Sequence, residues 1–338
     1  MDPVRVLITI PFPEDLVEQL RRVSPRLEIN SLPARRPEDI SPDTWEHIEV
    51  LYTDRILPDP TQVPNLRWVQ FHFAGIEFAL ESPLLKKKEI QATTLSGAAA
   101  PQMAEFALAM MLALGRRLPA LFENQKDAGW PRDRWERFSP QELRNSTVGI
   151  LGYGSIGREI ARILQPFRLT ILAIKRDVMH PQDTGYIQPG LGDPEGNLFR
   201  RLYPPEAIGS MLKECDFVID VLPYSKDTVN LIGEKELAQM KPSAFLISLG
   251  RGGTVNINAL VSALQERRIA GAALDVFTEE PLPPGSPLWH LPNVIITPHI
   301  GGMSTRYNQR AIDLFAGNLA RYLEGAPLYN RFDPDHGY

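Results

Sequence analysis

Short apolar runs alternate with amphipathic stretches along the first part of the chain. Runs of strand length are predicted at residues 4–10, 50–52 and 68–71, and an amphipathic helix is predicted at residues 14–22. Polar or proline-bearing connections separate these elements. Because strands that alternate with helical patterns are typical of parallel sheets, the first part of the chain is predicted to form a small parallel α/β domain.

The pattern changes between residues 147 and 164, where a strand, a glycine-rich turn and a helix are predicted in succession. The apolar run 148–151 precedes a G-x-G-x-x-G sequence, after which apolar residues recur at helical spacing, at Ile156, Ile160, Ile163 and Leu164. Such glycines allow a tight bend, close approach of a pyrophosphate, and helix–strand packing, while N–H groups at the helix start bind the phosphates. A bare glycine turn is the alternative, but the flanking strand and helix favour a dinucleotide site.

Five more strands are predicted after this turn, mostly separated by helical patterns, at residues 169–174, 217–222, 245–248, 270–274 and 294–297. They fit a doubly wound nucleotide-binding domain. A strongly apolar helix is predicted from Pro101 to Leu114, and it is expected to be buried between layers or between subunits. A helix over residues 304–323 is expected to return the chain to the first domain.

Two segments lack clear periodicity. Residues 121–143 are polar and carry Trp130 and Trp135, and this segment is predicted to be a lid or an arm. The candidates to line the substrate pocket are Phe71, His72, Phe73, Trp130 and Trp135. Residues 180–205 are rich in Gly, Pro and Asp and exceed usual connection lengths. They are predicted to form a surface excursion or a functional flap.

Composition narrows the possible partners and the compartment. The 338 residues favour two domains, and the net charge of −5 without a long basic run makes nucleic acid an unlikely partner. The apolar run before Pro11 is too short for a signal peptide or a membrane span. Cys215 is the sole cysteine, which excludes an intrachain disulfide and a cysteine-based metal site and agrees with a cytoplasmic location. No metal site is predicted.

Three polar residues follow predicted strands, at the sheet edge where an open α/β sheet binds its ligand: Arg251, Glu280 and His299. Their chemistry is complementary, because an arginine fork holds a carboxylate or carbonyl, a histidine exchanges a proton, and a carboxylate orients the imidazole and favours its charged form. Taken singly, each has a plainer interpretation, as a surface ion pair, a solvated loop residue and a capping histidine. Beside a dinucleotide-binding turn, together they indicate a catalytic site.

A further candidate follows strand 68–71. Glycine at position 75 allows close backbone approach, and the N–H groups of Ala74 and Gly75 are placed to bind a carboxylate. A plain strand-to-helix turn is an equally acceptable interpretation of these residues.

These motifs resemble the D-isomer specific 2-hydroxyacid dehydrogenase family, which includes glyoxylate/hydroxypyruvate reductases, D-lactate dehydrogenases and phosphoglycerate dehydrogenases. The resemblance covers nearly the whole chain and is carried by GYGSIG at 152–157, Leu222-Pro223, Gly250-Arg251-Gly252, ALDVF at 273–277 with Glu280-Pro281, and PHIGG at 298–302. It implies that Glu280 and His299 form an acid/base pair and that Arg251 binds the substrate carboxylate and polarises the carbonyl. It also implies that Asp275 contacts the nicotinamide amide and that Ala74 and Gly75 hold the substrate carboxylate.

The predicted fold is therefore α/β, with two doubly wound parallel-sheet domains. A Rossmann NAD(P)-binding domain, residues 101–302, is expected to be inserted into a flavodoxin-like substrate-binding domain, residues 1–100 plus 303–338. Homodimers are expected to form through the cofactor domain. The cofactor-binding residues expected from the motifs are Gly152, Tyr153, Gly154, Ser155, Ile156, Gly157, Lys175, Arg176, Leu222, Pro223, Thr228, Leu249, Gly250, Asp275 and Gly301.

The sequence departs from the family pattern at several positions. Phe106 stands where many relatives have histidine, and Arg168 replaces the usual glycine. The chain ends at Tyr338 without a regulatory domain, which weakens a phosphoglycerate dehydrogenase assignment. Glu280 stands where formate dehydrogenases carry glutamine, which weakens a formate dehydrogenase assignment too.

Cofactor choice is predicted from the end of the second strand of the cofactor domain. An NAD enzyme of this fold places an acidic residue there to bind the ribose hydroxyls. Here Lys175 and Arg176 occupy the position, which suits the 2′-phosphate of NADP, although pairing of Asp177 with Arg176 would reduce the effect. NADP is therefore the expected cofactor, with NAD as the alternative.

The sequence thus predicts an oxidoreductase that transfers a hydride between NAD(P)H and C2 of a small 2-keto acid or D-2-hydroxy acid, of the glyoxylate or hydroxypyruvate type. His299 is the expected proton carrier, with His72 next in order. The alternatives are a non-enzymatic, corepressor-like dinucleotide sensor with this fold and a phosphoglycerate dehydrogenase that lacks its regulatory domain.

Overall fold

A computed structural model describes residues 2–333, and the chain divides into two compact units. The first comprises Met1–Ala99 and Ser304–Tyr338, within its described part, and the second comprises Ala100–Met303. Each unit is built on its own parallel sheet. No helix of the described residues is long and apolar enough to cross a membrane.

The first unit has a parallel sheet of five strands in the order β2-β1-β3-β4-β5. This is the flavodoxin-like order, with a change of direction between β1 and β3. The strands and helices of this unit are β1 Val4–Ile8, α1 Glu14–Arg21, β2 Leu27–Ser31, α2 Pro42–His47, β3 Val50–Thr53, β4 Trp68–Phe71, β5 Gln91–Thr93 and, labelled in chain order, α10 Tyr307–Glu324.

Two apolar clusters cover the two faces of this sheet. On one face, α1 and α10 pack through residues such as Leu16, Ile312 and Phe315. On the other, Trp45 of α2 lies among apolar residues of β3 and β4. Both faces are thus covered, which explains why β3 and β4 are buried at every position.

Two strands of this sheet, β2 and β5, were not predicted from the sequence. Both lie at its edges. In β2 only Leu27 is fully buried, and β5 has three residues, so neither gives a continuous apolar run. Pairing with an already formed neighbour, rather than local sequence, decides their structure.

The second unit has a parallel sheet of seven strands in the order β12-β11-β10-β9-β6-β7-β8. The order reverses between β6 and β9, as in the Rossmann fold. Its strands and helices are α3 Ala100–Gly115, α4 Leu118–Lys126, α5 Arg134–Arg137, β6 Thr147–Leu151, α6 Ser155–Leu164, β7 Thr170–Ile174, β8 Arg201–Tyr203, α7 Ile208–Leu212, β9 Phe217–Asp220, α8 Glu234–Leu237, β10 Phe245–Ser248, α9 Ile257–Gln265, β11 Gly271–Leu274 and β12 Val294–Ile296.

Six described strands follow β6, whereas the sequence predicted five. The additional one is β8, which pairs with β7 at the sheet edge and lies inside the segment 180–205 that was expected to be an irregular excursion. Its first residue is exposed and only Tyr203 is fully buried, so the apolar signal is weak. The prediction for this part of the segment was wrong.

Helix α3 is a buried element of the second unit. Met103, Met111 and Leu114 are nearly fully covered, and the helix packs against α6, β10 and β11. Arg168, which replaces the usual glycine, has a φ of 55°. Glycine, the residue expected there from the family pattern, adopts this left-handed conformation more readily than a residue with a side chain.

Candidate active site

The glycine-rich turn between β6 and α6 leaves open space for a phosphate. Gly152 has a φ of 98°, and a Cβ at Gly157 would lie only 2.1 Å from the Gly152 carbonyl oxygen, so both positions require glycine. A Cβ at Gly154, which precedes α6, would meet no atom within 4 Å. The turn therefore fits the pyrophosphate of a dinucleotide.

Tyr153, inside the turn, is directed into the protein. Its side chain is 2% exposed, its N–H donates to the Ile174 carbonyl oxygen over 3.0 Å, and its hydroxyl donates to the Asp193 carboxylate over 2.7 Å. These contacts hold the Tyr153 side chain in the protein interior. Ser155 and Ile156 begin α6, at the end of the helix where anions bind.

The loop after β9 is braced by Thr228 and by the loop after β10. The Thr228 hydroxyl donates to the Pro223 carbonyl oxygen over 2.6 Å and accepts from the Ser225 N–H over 2.8 Å. A Cβ at Gly250 would lie 2.4 Å from the Leu222 carbonyl oxygen, so the backbones of the two loops are in direct contact. The predicted cofactor residues Leu222, Pro223, Thr228 and Gly250 thus form one packed region.

Lys175 and Arg176 follow β7 directly. The ammonium of Lys175 donates to the His180 carbonyl oxygen, and burial, with Arg158 nearby, lowers the pKa of Lys175. The Asp177 carboxylate lies 2.7 Å from Nδ1 of His180 and accepts from the backbone of the same turn. The hydrogen bond to His180 lowers the pKa of Asp177. His180 is thus a partner of Asp177 that the sequence did not indicate.

Segment 180–198, between β7 and β8, is anchored to α6 by a buried arginine. Arg158 is 1% exposed. Its Nη1 donates to the Asp193 carbonyl oxygen over 2.7 Å, its Nη2 donates to that of Pro181 over 2.5 Å, and its Nε lies 3.4 Å from the Asp183 carboxylate. The guanidinium also lies 4.9 Å from the ring centre of Tyr153.

A buried carboxylate of α6 adds a second anchor to this segment. Glu159, which is 2% exposed, accepts from the Gly192 N–H over 2.7 Å and binds Arg162 with both oxygens. Since breaking buried ionic contacts is costly, these bonds hold the segment against α6. The segment therefore does not have the loose attachment that a mobile flap requires.

The loop that carries Arg251 packs closely against the loop after β11. A Cβ at Gly252 would lie 1.9 Å from the Phe277 carbonyl carbon, and the Thr278 hydroxyl donates to the Gly252 carbonyl oxygen over 3.3 Å. Arg251 is partly buried, and its Nη1 donates to the Gly250 carbonyl oxygen over 2.9 Å. This brings the loops after β10 and β11 together.

His299 and Glu280 form a direct pair. His299 Nδ1 lies 2.7 Å from Glu280 Oε2, and Glu280 Oε1 accepts from the Phe277 N–H over 2.9 Å. The side chains are 49% and 36% exposed. The carboxylate holds one ring nitrogen, Nδ1, and none of the hydrogen bonds found among the described residues involves the other, Nε2. A general acid/base uses this arrangement.

Asp275 organises the loop that presents His299. Its backbone carbonyl oxygen accepts from the His299 N–H over 2.9 Å. One carboxylate oxygen accepts from the Thr297 hydroxyl and the Ile300 N–H, over 2.6 and 3.0 Å, and the other accepts from the Gly301 N–H over 2.9 Å. These bonds hold His299 at a φ of 53°, which is uncommon for a residue with a side chain.

In the first unit, the loop after β4 offers two N–H groups. Ala74 is exposed and Gly75 is partly exposed. Neither amide has an acceptor among the described residues. Two adjacent N–H donors at the carboxyl edge of a parallel sheet suit an anionic group such as a carboxylate.

His72, the second candidate proton carrier, is a buried part of the same unit. Its Nδ1 lies 2.7 Å from the Tyr52 hydroxyl, and the Tyr307 hydroxyl donates to its carbonyl oxygen over 2.7 Å. Burial lowers the pKa of His72 to about 4. It is therefore neutral near pH 7, which makes it unsuited to donate a proton there.

Two further residues with predicted roles are exposed in the second unit. Trp130 and Trp135, which flank and occupy α5, are 86% and 73% exposed. Within the described chain they do not line an enclosed pocket of this unit. Among the described residues no cluster of His, Cys, Asp and Glu suited to a metal ion is found.

The Rossmann fold and its glycine turn define a dinucleotide-binding protein, and comparison with known proteins identifies the family. Residues 108–301 match the D-isomer specific 2-hydroxyacid dehydrogenase, NAD binding domain. A glyoxylate reductase of Thermococcus gammatolerans is 31% identical over 331 residues, covering 95% of this chain and 93% of the relative.

Two solved structures have the same fold. A D-isomer specific 2-hydroxyacid dehydrogenase of Xanthobacter autotrophicus Py2, in complex with NADPH and MES, is 25% identical with a TM-score of 0.79 and full coverage of both chains, 100% and 100%. An NADPH-dependent glyoxylate/hydroxypyruvate reductase of Sinorhizobium meliloti, in complex with NADP and sulfate, is 25% identical with a TM-score of 0.77 and covers 99% of this chain and 100% of its own.

The chain belongs to the D-isomer specific 2-hydroxyacid dehydrogenase family. It is an NAD(P)-dependent oxidoreductase that interconverts small 2-keto and 2-hydroxy acids.

Proposed function

We propose that the protein is an NADPH-dependent reductase of glyoxylate or hydroxypyruvate, with a D-2-hydroxy acid as product where C2 is chiral. The observation that carries this proposal is the 2.7 Å pair of His299 and Glu280 beside the Arg251 loop, at the cofactor edge of the sheet. The names of the Thermococcus and Sinorhizobium relatives support this choice of substrate.

The cofactor would be held by the glycine turn and by the loops after β7, β9 and β10. Gly152, Gly154 and Gly157 permit approach of the pyrophosphate, and Leu222, Pro223 and Leu249 supply apolar contacts. Asp275 and Gly301 are assigned to the nicotinamide end. When bound, the nicotinamide supplies the hydride for C2 of the keto acid.

The remaining assignments concern the substrate. Arg251 is assigned to the substrate carboxylate and to stabilisation of charge that develops on the carbonyl oxygen. The N–H groups of Ala74 and Gly75, in the first unit, are assigned to binding of a substrate carboxylate. His299, held at Nδ1 by Glu280, gives a proton from Nε2 to the oxygen of C2 during reduction and takes it back during oxidation.

A panel of 2-keto acids separates this proposal from its rivals. Oxidation of NADPH at 340 nm, a standard absorbance assay, is expected with glyoxylate or hydroxypyruvate as the best substrate. A dinucleotide sensor of the corepressor kind would bind NADPH without turning over any member of the panel. A best rate with 3-phosphohydroxypyruvate would favour the phosphoglycerate dehydrogenase alternative.

The preference for NADPH depends on Lys175 and Arg176. We expect Lys175→Ala and Arg176→Ala each to lower kcat/KM for NADPH by about tenfold or more, because a charge-assisted bond contributes roughly 1.5 to 3 kcal/mol. kcat/KM for NADH should change little. The matched control is Lys213→Ala, at an exposed residue directly after α7, and it should change kcat/KM little for either cofactor. Equal efficiency of the unmodified enzyme with NADH and NADPH would contradict the preference.

We also propose a cytoplasmic homodimer. The sequence predicted that the apolar helix 101–114 is buried between layers or between subunits, and most of that helix is buried within the second unit. The support now comes from the aromatic residues of segment 118–143, where Phe122, Trp130 and Trp135 are 56%, 86% and 73% exposed. The free, buried thiol of Cys215 suits a reducing compartment. Light scattering at the monomer mass across micromolar concentrations would reject the dimer.

A further inference from the structure

A buried carboxylate lies at the point where the strand order of the second unit reverses. Asp220 is the last residue of β9, next to β6, and its side chain is fully buried at 0% exposure. It is the only acidic residue in the run FVID, whose other members are apolar core. A buried carboxylate is unfavourable unless hydrogen-bond donors compensate for the loss of water, so the presence of Asp220 in a core strand needs an explanation.

The donors to Asp220 come from both loops of the candidate site. Oδ1 accepts from the Leu222 N–H over 3.1 Å. Oδ2 accepts from the Ser248 hydroxyl over 3.0 Å and from the Thr254 hydroxyl over 2.5 Å. Ser248 and Thr254 lie on either side of Arg251 in the chain. The Thr254 N–H donates to the Arg251 carbonyl oxygen over 3.1 Å, so the residue that Asp220 holds through its hydroxyl also holds the Arg251 peptide.

We propose that Asp220 is a positioning residue: its charged carboxylate fixes the Arg251 peptide against the Leu222-Pro223 loop and thereby sets the affinity for the 2-keto acid. This inference rests on the proposed role of Arg251. Hydrogen bonds to an ionised acceptor are stronger than those to a neutral one, so the two loops are held most firmly when Asp220 is charged. Neutralising it loosens the loop without removing any group that would touch the substrate.

The electrostatic setting of Asp220 supports a role beyond stability. Burial raises the pKa of Asp220 to about 6, and the hydroxyls of Thr254 and Ser248 and the Leu222 N–H oppose that rise. The charged residues on the loops after β9, β10 and β11 include Lys226, Asp227, Arg251, Asp275, Glu279 and Glu280. None of them is among the causes of the shift in the pKa of Asp220.

The raised pKa of Asp220 determines how the stability of the folded chain depends on pH. Between about pH 4 and pH 6 the folded chain binds the proton of Asp220 more tightly than the unfolded chain does. The contribution of this proton to the free energy of unfolding is therefore lost as the pH rises through about 6. The charged form at neutral pH is therefore unfavourable for folding. A purely structural role would be better served by a neutral amide.

The test compares Asp220→Asn with the unmodified enzyme from pH 5 to pH 8. At pH 7.5 we expect KM for the best 2-keto acid to rise about tenfold, the loss expected for one charge-assisted bond, with kcat changed less and the thermal midpoint equal or higher. The ratio of the two KM values should approach one as the pH falls through about 6. The ratio cancels any other titrating group shared by both proteins. A ratio that stays within twofold at pH 7.5, or that does not change with pH, would overturn the proposal.

Two further variants complete the test. Asp216→Asn is the matched control, because Asp216 precedes β9 at the opposite edge and binds the Thr147 N–H and Lys241; its KM should equal that of the unmodified enzyme. Thr254→Val removes one donor and keeps the charge, so KM should rise and its pH inflection should move upward, because the charged form loses a stabilising bond. It serves in place of Asp220→Asn if that variant does not fold, and an unchanged inflection would count against the proposal.

Amide hydrogen exchange of residues 250–255 in the substrate-free protein gives a readout that does not depend on turnover. After correction for intrinsic rates, exchange should be faster in Asp220→Asn at pH 7.5 and equal to that of the unmodified protein at pH 5. If no 2-keto acid is turned over but this exchange pattern holds, the proposed function fails and the positioning role stands. If turnover is as proposed but exchange is the same in both proteins, the positioning role fails.

Discussion

His299→Ala is expected to lower kcat by about 10²- to 10⁴-fold, because positioned general acid/base groups contribute this much to rate. In reduction, the oxygen of C2 becomes an alkoxide as the hydride arrives, and His299 Nε2 is the group assigned to protonate it. The affinity for NADPH, measured by its fluorescence on binding, should stay nearly intact, since the glycine turn and the loop after β9 do not depend on the imidazole.

Two variants sharpen this prediction. His290→Ala removes an exposed imidazole from the same unit and should leave kcat unchanged. Glu280→Gln keeps an oxygen that can accept from the Phe277 N–H but removes the charge beside Nδ1; its kcat should lie between those of the unmodified enzyme and His299→Ala. Near-full activity of His299→Ala on the best substrate would show that the proton comes from elsewhere. His72 is a poor replacement, because burial lowers its pKa to about 4.

Arg251→Lys is expected to raise KM for the 2-keto acid by about 10- to 100-fold, which corresponds to the loss of roughly 1.5 to 3 kcal/mol in charge-assisted bonding. An ammonium keeps the charge but lacks the planar fork that binds a carboxylate through two parallel bonds. The loop geometry should be unaffected, because the packing of Gly250 and Gly252 involves backbone atoms.

Arg267→Lys, on the exposed turn after α9, is the matched control and should have an unchanged KM. Steady-state kinetics at saturating NADPH give both values. If Arg251→Lys had the KM of the unmodified enzyme, the carboxylate would have to be bound by other groups, and the N–H groups of Ala74 and Gly75 would be the ones to test.

The sequence predicted those parts of the molecule that have a local signal. The glycine turn was recognisable because a strand, three spaced glycines and an amphipathic helix follow one another directly. Arg251, Glu280 and His299 were proposed as site residues because each comes after an apolar run, and the sheet order puts the ends of β10, β11 and β12 side by side.

What the sequence missed depends on contacts between distant residues. Strand β8 has only three residues and exists through pairing with β7. The attachment of segment 180–198 relies on Arg158 and Glu159, which look like surface residues of an amphipathic helix but are buried beneath that segment. Asp220 carried one usable signal, a carboxylate within an otherwise apolar strand, although its donors Ser248 and Thr254 are identified only by the fold.

The central claim is that a hydride passes from the nicotinamide to C2 of a small 2-keto acid with D stereochemistry. It is tested most directly by incubating the enzyme with hydroxypyruvate and NADPH in which both hydrogens at C4 of the nicotinamide are deuterium, and by analysing the product by NMR and chiral chromatography. D-glycerate with deuterium on C2 is the expected product. Glycerate without deuterium at C2, an L product, or no reduction of hydroxypyruvate, glyoxylate or any other 2-keto acid would contradict this claim.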